Sequence, residues 1–220
     1  MITTRQFFDQ SLEALKSELL QMGSLVEKAV GQAVESLVRQ EVTLAQRVID
    51  GDDAVDEMEL AIEDRCMKLI ATQQPMGRDL RRIGIALKII VDLERMADYA
   101  TDIARVTLRL AGQPFIKPLV DIPRMARIAG NMVRGVLEAY VREDPVLAEK
   151  ASQADDEVDH LYSQIFRELL TYMMEDPRNI TQATYLLFVG RYLERVADHA
   201  TNIGERVIYL ATGERKDLNV

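Results

Sequence analysis

Two short runs of carboxylates, each present twice, carry the chemistry this chain can offer. Leu93-Glu94-Arg95-Met96-Ala97-Asp98-Tyr99-Ala100-Thr101-Asp102-Ile103 returns 100 residues later as Leu193-Glu194-Arg195-Val196-Ala197-Asp198-His199-Ala200-Thr201-Asn202-Ile203. Asp52-Asp53-Ala54-Val55-Asp56 returns 103 residues later as Asp155-Asp156-Glu157-Val158-Asp159. In each run acids fall four apart, the spacing that stacks side chains on one face of an α-helix. With Glu94 at zero on a helical wheel, Asp98 lies about 40° and Asp102 about 80° away. Ile85, Ile89, Met96 and Ile103 fall opposite, and Tyr185, Val189, Val196, Ile203 and Leu210 likewise oppose Glu194 and Asp198. Asp52, Asp56, Glu59 and Glu63 form another ladder within about 60°, beside an apolar stripe of Val55, Met58, Ile62 and Cys66. The apolar sides predict the core, and the carboxylates are expected to point outward.

Like charges four apart cost an isolated helix about 0.2–0.5 kcal/mol per pair. One ladder is tolerable in water; two on neighbouring helices repel unless arginines, lysines or a cation lie between them. Oxygen donors without thiolates suit hard cations such as magnesium, manganese and oxidised iron, and facing ladders allow a multinuclear site. The plainer alternative is a solvated face with Arg95, Arg105 and Arg195 as salt-bridge partners, each pair contributing little.

The elements that must position these acids follow from the punctuation. Prolines stand only at 75, 114, 118, 123, 145 and 177, and the stretches between them read with helical periodicity. The register between the two halves places one more, proline-free break near Gln40–Thr43. The expectation is an all-α chain of six long helices, at 4–39, 43–73, 77–111, 122–142, 145–174 and 178–211, built as a tandem duplication of a three-helix bundle. The Gly/Pro-rich stretch from Gly112 to Pro123 reads as the connection, giving a first bundle over 1–112, a linker over 113–121 and a second bundle over 122–220.

Composition narrows the function. Of 220 residues 48% are hydrophobic and 29% charged, enough for a core, and glycine and proline are scarce. A net charge of −9 argues against nucleic acid as a partner. The single cysteine excludes an internal disulfide framework and a thiolate cage. The start, Met1 to Asp9, lacks the basic and then apolar character of a signal peptide. The best apolar run, Ile83 to Val91, is too short to span a bilayer, which excludes direct membrane insertion. A cytoplasmic protein is expected. Cys66, on an apolar stripe, is expected to be buried and unreactive.

The doubled Leu-Glu-Arg-x-Ala-Asp-x-Ala-Thr signature at 93–101 and 193–201, with both Asp-rich openings, resembles the PhoU family of phosphate uptake regulators over nearly the whole chain. The resemblance implies a negative regulator of the bacterial phosphate-starvation response. Its implied partners are the ATPase subunit of a phosphate ABC transporter and a phosphate-sensing membrane histidine kinase, and it implies no catalytic activity. It also implies metal ions (iron, manganese, magnesium or zinc) held at surface carboxylate clusters. Carried onto this sequence, the ligands are Glu94 with Asp98 and Asp52 with Asp56 in the first bundle. In the second they are Glu194 with Asp198 and Asp155 with Asp159. Asp102 extends the first set. The second set departs from the first, because Asn202 replaces Asp102 while Tyr162 and Phe166 stand where Glu59 and Glu63 do. More anionic oxygens therefore predict tighter metal binding in the first bundle.

Two rival classes have definite signatures. Glu157-Val158-Asp159-His160 matches the Glu-x-x-His of di-metal helical-bundle enzymes, but such sites need two of these motifs and two more glutamates aimed into a core. The wheel turns Glu157 and His160 away from Val158, Leu161, Ile165 and Leu169. His199, whose counterpart is Tyr99, reads as a polar surface residue. There is no Walker-type glycine loop, nucleophile elbow or Cys-x-x-Cys pair. A metal-independent helical scaffold is the other rival. Leu87, Ile90 and Val91 lie on the side of Glu94 and predict an exposed apolar patch for a homodimer or partner contact.

Overall fold

The computed structural model describes residues 4–218. Residues 1–3 and 219–220, the outermost ends of the two expected bundles and the first residues of the segment read for a signal peptide, lie outside them. The elements are α1 (Thr4–Arg39), α2 (Val42–Asp50), α3 (Asp53–Gln73), α4 (Arg78–Leu110), α5 (Asp121–Arg142), α6 (Pro145–Ser152), α7 (Asp155–Glu175) and α8 (Ile180–Thr212), with a 3-10 turn at Pro177–Asn179 leading into α8. Among the described residues there is no strand, and no helix is long and apolar enough to cross a membrane.

Both halves use the same local chemistry to turn. After α1, Gln40 takes a left-handed φ of 52°, and the Glu41 N–H reaches back to the Ser36 carbonyl at 2.9 Å. After α5, Glu143 takes φ 51° and the Asp144 N–H reaches the Ala139 carbonyl at 3.0 Å. These are Schellman-type closures made without glycine. Pro145 then opens α6 at its first position, with the Asp144 carboxylate capping the Val146 and Leu147 N–H groups at 2.9 and 3.1 Å.

Each middle helix, expected as one piece, is divided. The breaks fall at Gly51-Asp52 and at Gln153-Ala154, within one residue of the same place in each copy. The acids explain them. Asp53 and Asp56, and then Asp155, Asp156 and Glu157, crowd the first turns of α3 and α7, where carboxylates complement the positive end of a helix.

The long helices α1, α4, α8 and α5 pack in a closed ring, each against the next, and the bent pairs α2/α3 and α6/α7 lie outside it. A single apolar core runs through both halves. The connection is pinned to the second half: Gln182 accepts from the Ile116 N–H at 2.6 Å and donates to the Pro114 carbonyl at 3.0 Å, and the buried Lys117 pairs with Glu168.

Because α4 lies in the ring, it is covered on more sides than an amphipathic reading allows. Ile90 is 1% exposed, Leu87 is half-buried, and only Val91 is open, at 47%. The predicted apolar patch is therefore broken up, since α3 lies on that side of α4 just as Tyr162 and Ile165 of α7 lie against Gly190.

The seam between α4 and α8 joins the halves. Asp92 is buried there, accepting a hydrogen bond from His199 Nδ1 at 2.9 Å and pairing with Arg206. The duplication partner of this contact is Tyr192 with Tyr99, whose rings stack at 5.8 Å. His199 is thus a half-buried seam residue, not a free surface one, and burial pushes its pKa down.

Candidate metal centre

The divided middle helices place the carboxylates. Because α3 and α7 begin at the break, Asp52 and Asp155 sit at a helix start, turned toward α4 and α8 respectively. The first facet gathers Asp52, Asp56, Glu94 and Asp98. Burial raises the pKa of Asp52, and repulsion from Asp56 and Asp98 adds to it, while the Thr101 hydroxyl and Arg105 oppose the rise. Glu94 is raised in the same way by burial and by Asp98, with Arg95 opposing. Glu59, absent from the predicted ligands, belongs here too: burial lifts its pKa, and Glu63 and Asp56 reinforce it.

The second facet repeats the four acids as Asp155, Asp159, Glu194 and Asp198, with Tyr162 in the place of Glu59. Asp155 is 8% exposed. Burial, with repulsion from Asp159 and Asp198, pushes its pKa up to about 7. Asp159 and Glu194 are raised as well, each first by burial. The Thr201 hydroxyl lies beside Asp155 and pulls its pKa down, as Thr101 does for Asp52. The contact falls short of a well-formed hydrogen bond, so Asp155 Oδ1 and Thr201 Oγ1 both stay buried and unsatisfied. Asp155, Asp156, Asp159 and Asp198 line a cavity of about 550 Å³ together with Glu149 and Ser152.

Arginines hold the rims. Arg95 pairs with Asp98 at 3.2 Å and Glu94 at 3.5 Å, Arg195 with Asp198 at 2.9 Å, and Arg191 with Glu194. Arg195 is also held across the seam by the Tyr99 hydroxyl, so the second facet touches the helix that carries the first. Asp102 stands apart: it pairs with Arg105 at 2.9 Å and acts on Tyr192 of α8, on the seam side. Among the described residues, no three carboxylate, imidazole or thiol groups converge closely enough to grip an ion. The donor set is nevertheless of the right kind. It is all oxygen, it contains a buried orphaned carboxylate oxygen, and it suits a hard cation.

Sequence reasoning passed over Thr101 and Thr201 as members of the site, and placed Glu59 in the ladder without carrying it into the ligand set. The two threonines had a signal, since they recur at one register and fall on the carboxylate side of the wheel. The di-metal motif goes the other way: Glu157 and His160 are exposed, Glu157 pairing with Arg124 at 2.6 Å.

Fold and site together define a class of duplicated helical protein in which each repeat presses an acidic helix start against a long carboxylate-bearing helix. The chain belongs to the PhoU family: the PhoU domain profile matches residues 19–107 and 122–207. It is 43% identical over 217 residues to a phosphate-specific transport system accessory protein PhoU homolog of Clostridium acetobutylicum, spanning 98% of this chain and 99% of that one. A homolog of the same name from Aquifex aeolicus is 46% identical over 205 residues, 93% of each chain. The crystal structure of PhoU from Pseudomonas aeruginosa superposes with a TM-score of 0.90 at 40% identity, covering 94% of this chain and 100% of that one. The phosphate transport system regulatory protein PhoU from Streptococcus pneumoniae gives 0.89 at 30% identity, covering 96% and 99%.

Proposed function

We propose that this chain is an accessory regulator of a phosphate-specific transport system, and within that role a metal-binding adaptor rather than an enzyme. Its partners are the ATPase subunit of the transporter and the phosphate-sensing membrane histidine kinase, both met in the cytoplasm, and its effect is to repress the starvation response while phosphate is plentiful. The names of its full-length relatives support the transport role. Assembly as a homodimer is part of the same proposal, without the Leu87–Val91 patch as its basis.

The observation that carries the metal reading is the repeated facet, with a buried, orphaned Asp155 oxygen at its deepest point. Glu94, Asp98, Asp52 and Asp56 would hold one ion or cluster; Glu194, Asp198, Asp155 and Asp159 would hold the other. Bound there, a hard cation supplies the positive charge that offsets repulsion among facing carboxylates. Asp52 and Asp155 are the groups that tie the start of α3 to α4 and of α7 to α8. The arginines Arg95 and Arg195 keep the rim acids oriented until then.

The test is a starvation reporter such as alkaline phosphatase in phosphate-replete cells of the source bacterium. Cells lacking the chain should show high output, and the intact chain should restore repression. Stably expressed Glu94→Ala/Asp98→Ala protein should not. Normal repression without the chain would overturn the regulatory reading. Full complementation by the double variant would overturn the role of the facet.

A further inference from the structure

A second kind of site forms where the start of α4 meets the end of α8 and residues 213–217 lie over them. A cavity of about 650 Å³ opens there, and five of its lining residues are cationic: Arg81, Lys88, Arg206, Arg215 and Lys216. In a chain of net charge −9 this is a local inversion of sign. It shares no lining residue with the acidic cavity at Asp155.

The charges divide into spent and unspent ones. Arg206 is taken by Asp92, and Lys216 by Glu149 at 2.8 Å. Three cations have no carboxylate partner among the described residues. Arg81 points at the Tyr209 and Leu210 carbonyls at 3.3 and 3.5 Å and lies over the Tyr209 ring. Arg215 lies over the same ring, 5.7 Å from its centre. Lys88 is exposed on α4. The two acids in the lining keep their charge, Glu205 accepting from the Leu218 N–H at 2.7 Å and Asp217 sitting on the exposed tail, so the three unpaired cations outnumber them by one. The floor is open as well as cationic, because a Cβ at Gly84 or Gly77 would meet nothing within 4 Å.

The duplication supplies an internal comparison. At the corresponding place in the other copy, Thr181 stands for Arg81, Thr184 for Gly84 and Phe188 for Lys88. There Arg109 is bonded to the Tyr185 hydroxyl at 3.0 Å. The same helix crossing thus forms without these cations and without the glycine, so packing does not require them.

We propose that this cleft binds a doubly charged phosphoryl group, either free inorganic phosphate or the phosphate of a phosphorylated small molecule. Guanidinium forks and an ammonium group match phosphate oxygens in charge and geometry, and the start of α4 adds the positive pole of a 33-residue helix. The site goes beyond the metal-adaptor reading and does not depend on it.

The experiment is calorimetric titration of the full chain, stripped with EDTA and at low salt, with inorganic phosphate and separately with ATP. The cleft variant is Lys88→Glu/Arg215→Glu. The control is Lys150→Glu/Arg167→Glu, which reverses two exposed cations elsewhere, and circular dichroism confirms that both fold. Saturable binding of phosphate identifies the free ion, and binding of ATP alone identifies a phosphorylated molecule. In either case the cleft variant should bind at least about tenfold more weakly and the control within about twofold of the original. Absence of binding by both ligands up to about 10 mM overturns the proposal. Equal binding by the cleft variant, or equal weakening in the control, overturns it too.

Discussion

Asp155 is the residue at which burial, like charge and a missing hydrogen bond coincide. Its identity as one acid of a ladder is legible in the sequence; its depth is not, because depth follows from a helix break that brings it against α8. The consequence is a pH dependence of stability in metal-stripped protein. An unfolded aspartate titrates near 3.9, and the folded one at about 7. The folded state therefore binds the proton more tightly. Its contribution to stability is fully present below about pH 4 and is lost as pH rises through 7. Asp155→Asn removes that dependence. By urea unfolding the variant should gain on the order of 2 kcal/mol at pH 8 and almost nothing at pH 4; an equal gain at both pH values would refute the assignment. Cys66 makes a simpler case, since its burial was readable from its apolar stripe. Burial pushes its pKa up to about 12. At pH 8 it should react with a disulfide reagent at least about a hundredfold more slowly in the native protein than in urea; rapid native labelling would contradict the packing.

At the scale of elements, periodicity and proline positions located the helices, and the end of α1 and start of α6 fall where the repeat register puts them. The breaks at Gly51-Asp52 and Gln153-Ala154 were not read, although Asp52-Asp53 and Asp155-Asp156-Glu157 are acids of the kind that open helices. A periodic apolar stripe continuing across each break masked that signal. The two facets also differ in a way an acid count misses. Counting oxygens favours the first, with Glu59 and Asp102. Its surroundings do not, because Lys28 and Arg47 line the small cavity beside Asp52, whereas acids dominate the cavity beside Asp155. The second facet should therefore hold a hard cation more tightly, reversing the order expected from composition. In the full chain, Asp155→Asn/Asp198→Asn should lower bound manganese, measured by mass spectrometry, more than Asp52→Asn/Asp98→Asn; the opposite order would restore the oxygen count as the deciding factor. Packing of α6 on α5 gives an independent prediction. A Cβ at Gly135 would stand 2.8 Å from the Ala151 Cβ, which has no freedom to yield. Gly135→Ala should cost about 1–3 kcal/mol by urea unfolding, and an unchanged midpoint would place the α5–α6 contact elsewhere.

At the scale of the whole molecule, duplication was legible, but its consequence was not. Two sequence repeats suggest two bundles joined by a linker, whereas α1, α4, α8 and α5 close a ring and one core runs through both halves. The reason lies in residues that pattern analysis discounts. Ile90, Ala97 and Thr101 share the side of α4 that carries Glu94, and all three are buried, so α4 is covered on that side too and, beyond its first turn, keeps only a narrow exposed stripe at Lys88, Val91, Arg95, Arg105 and Arg109. The seam is further locked by a polar contact that breaks the internal symmetry. Where Tyr99 meets Tyr192, a stacked pair contributes about 1 kcal/mol beyond its buried area. Where Asp92 meets His199 and Arg206, removing one partner strands charge in a buried seam. Asp92→Ala leaves Arg206 without its carboxylate, at a cost of about 3 kcal/mol, toward the low end for buried pairs because Arg206 keeps some solvent contact. A shared core and a shared clamp together require the halves to unfold as one unit. Calorimetry should show a single transition whose calorimetric and van't Hoff enthalpies agree, and Asp92→Ala should lower its midpoint without splitting it. Two resolved transitions in the original chain would show that the halves hold themselves up separately. In that case the Arg195–Tyr99 contact could not carry a change at one facet to the helix bearing the other.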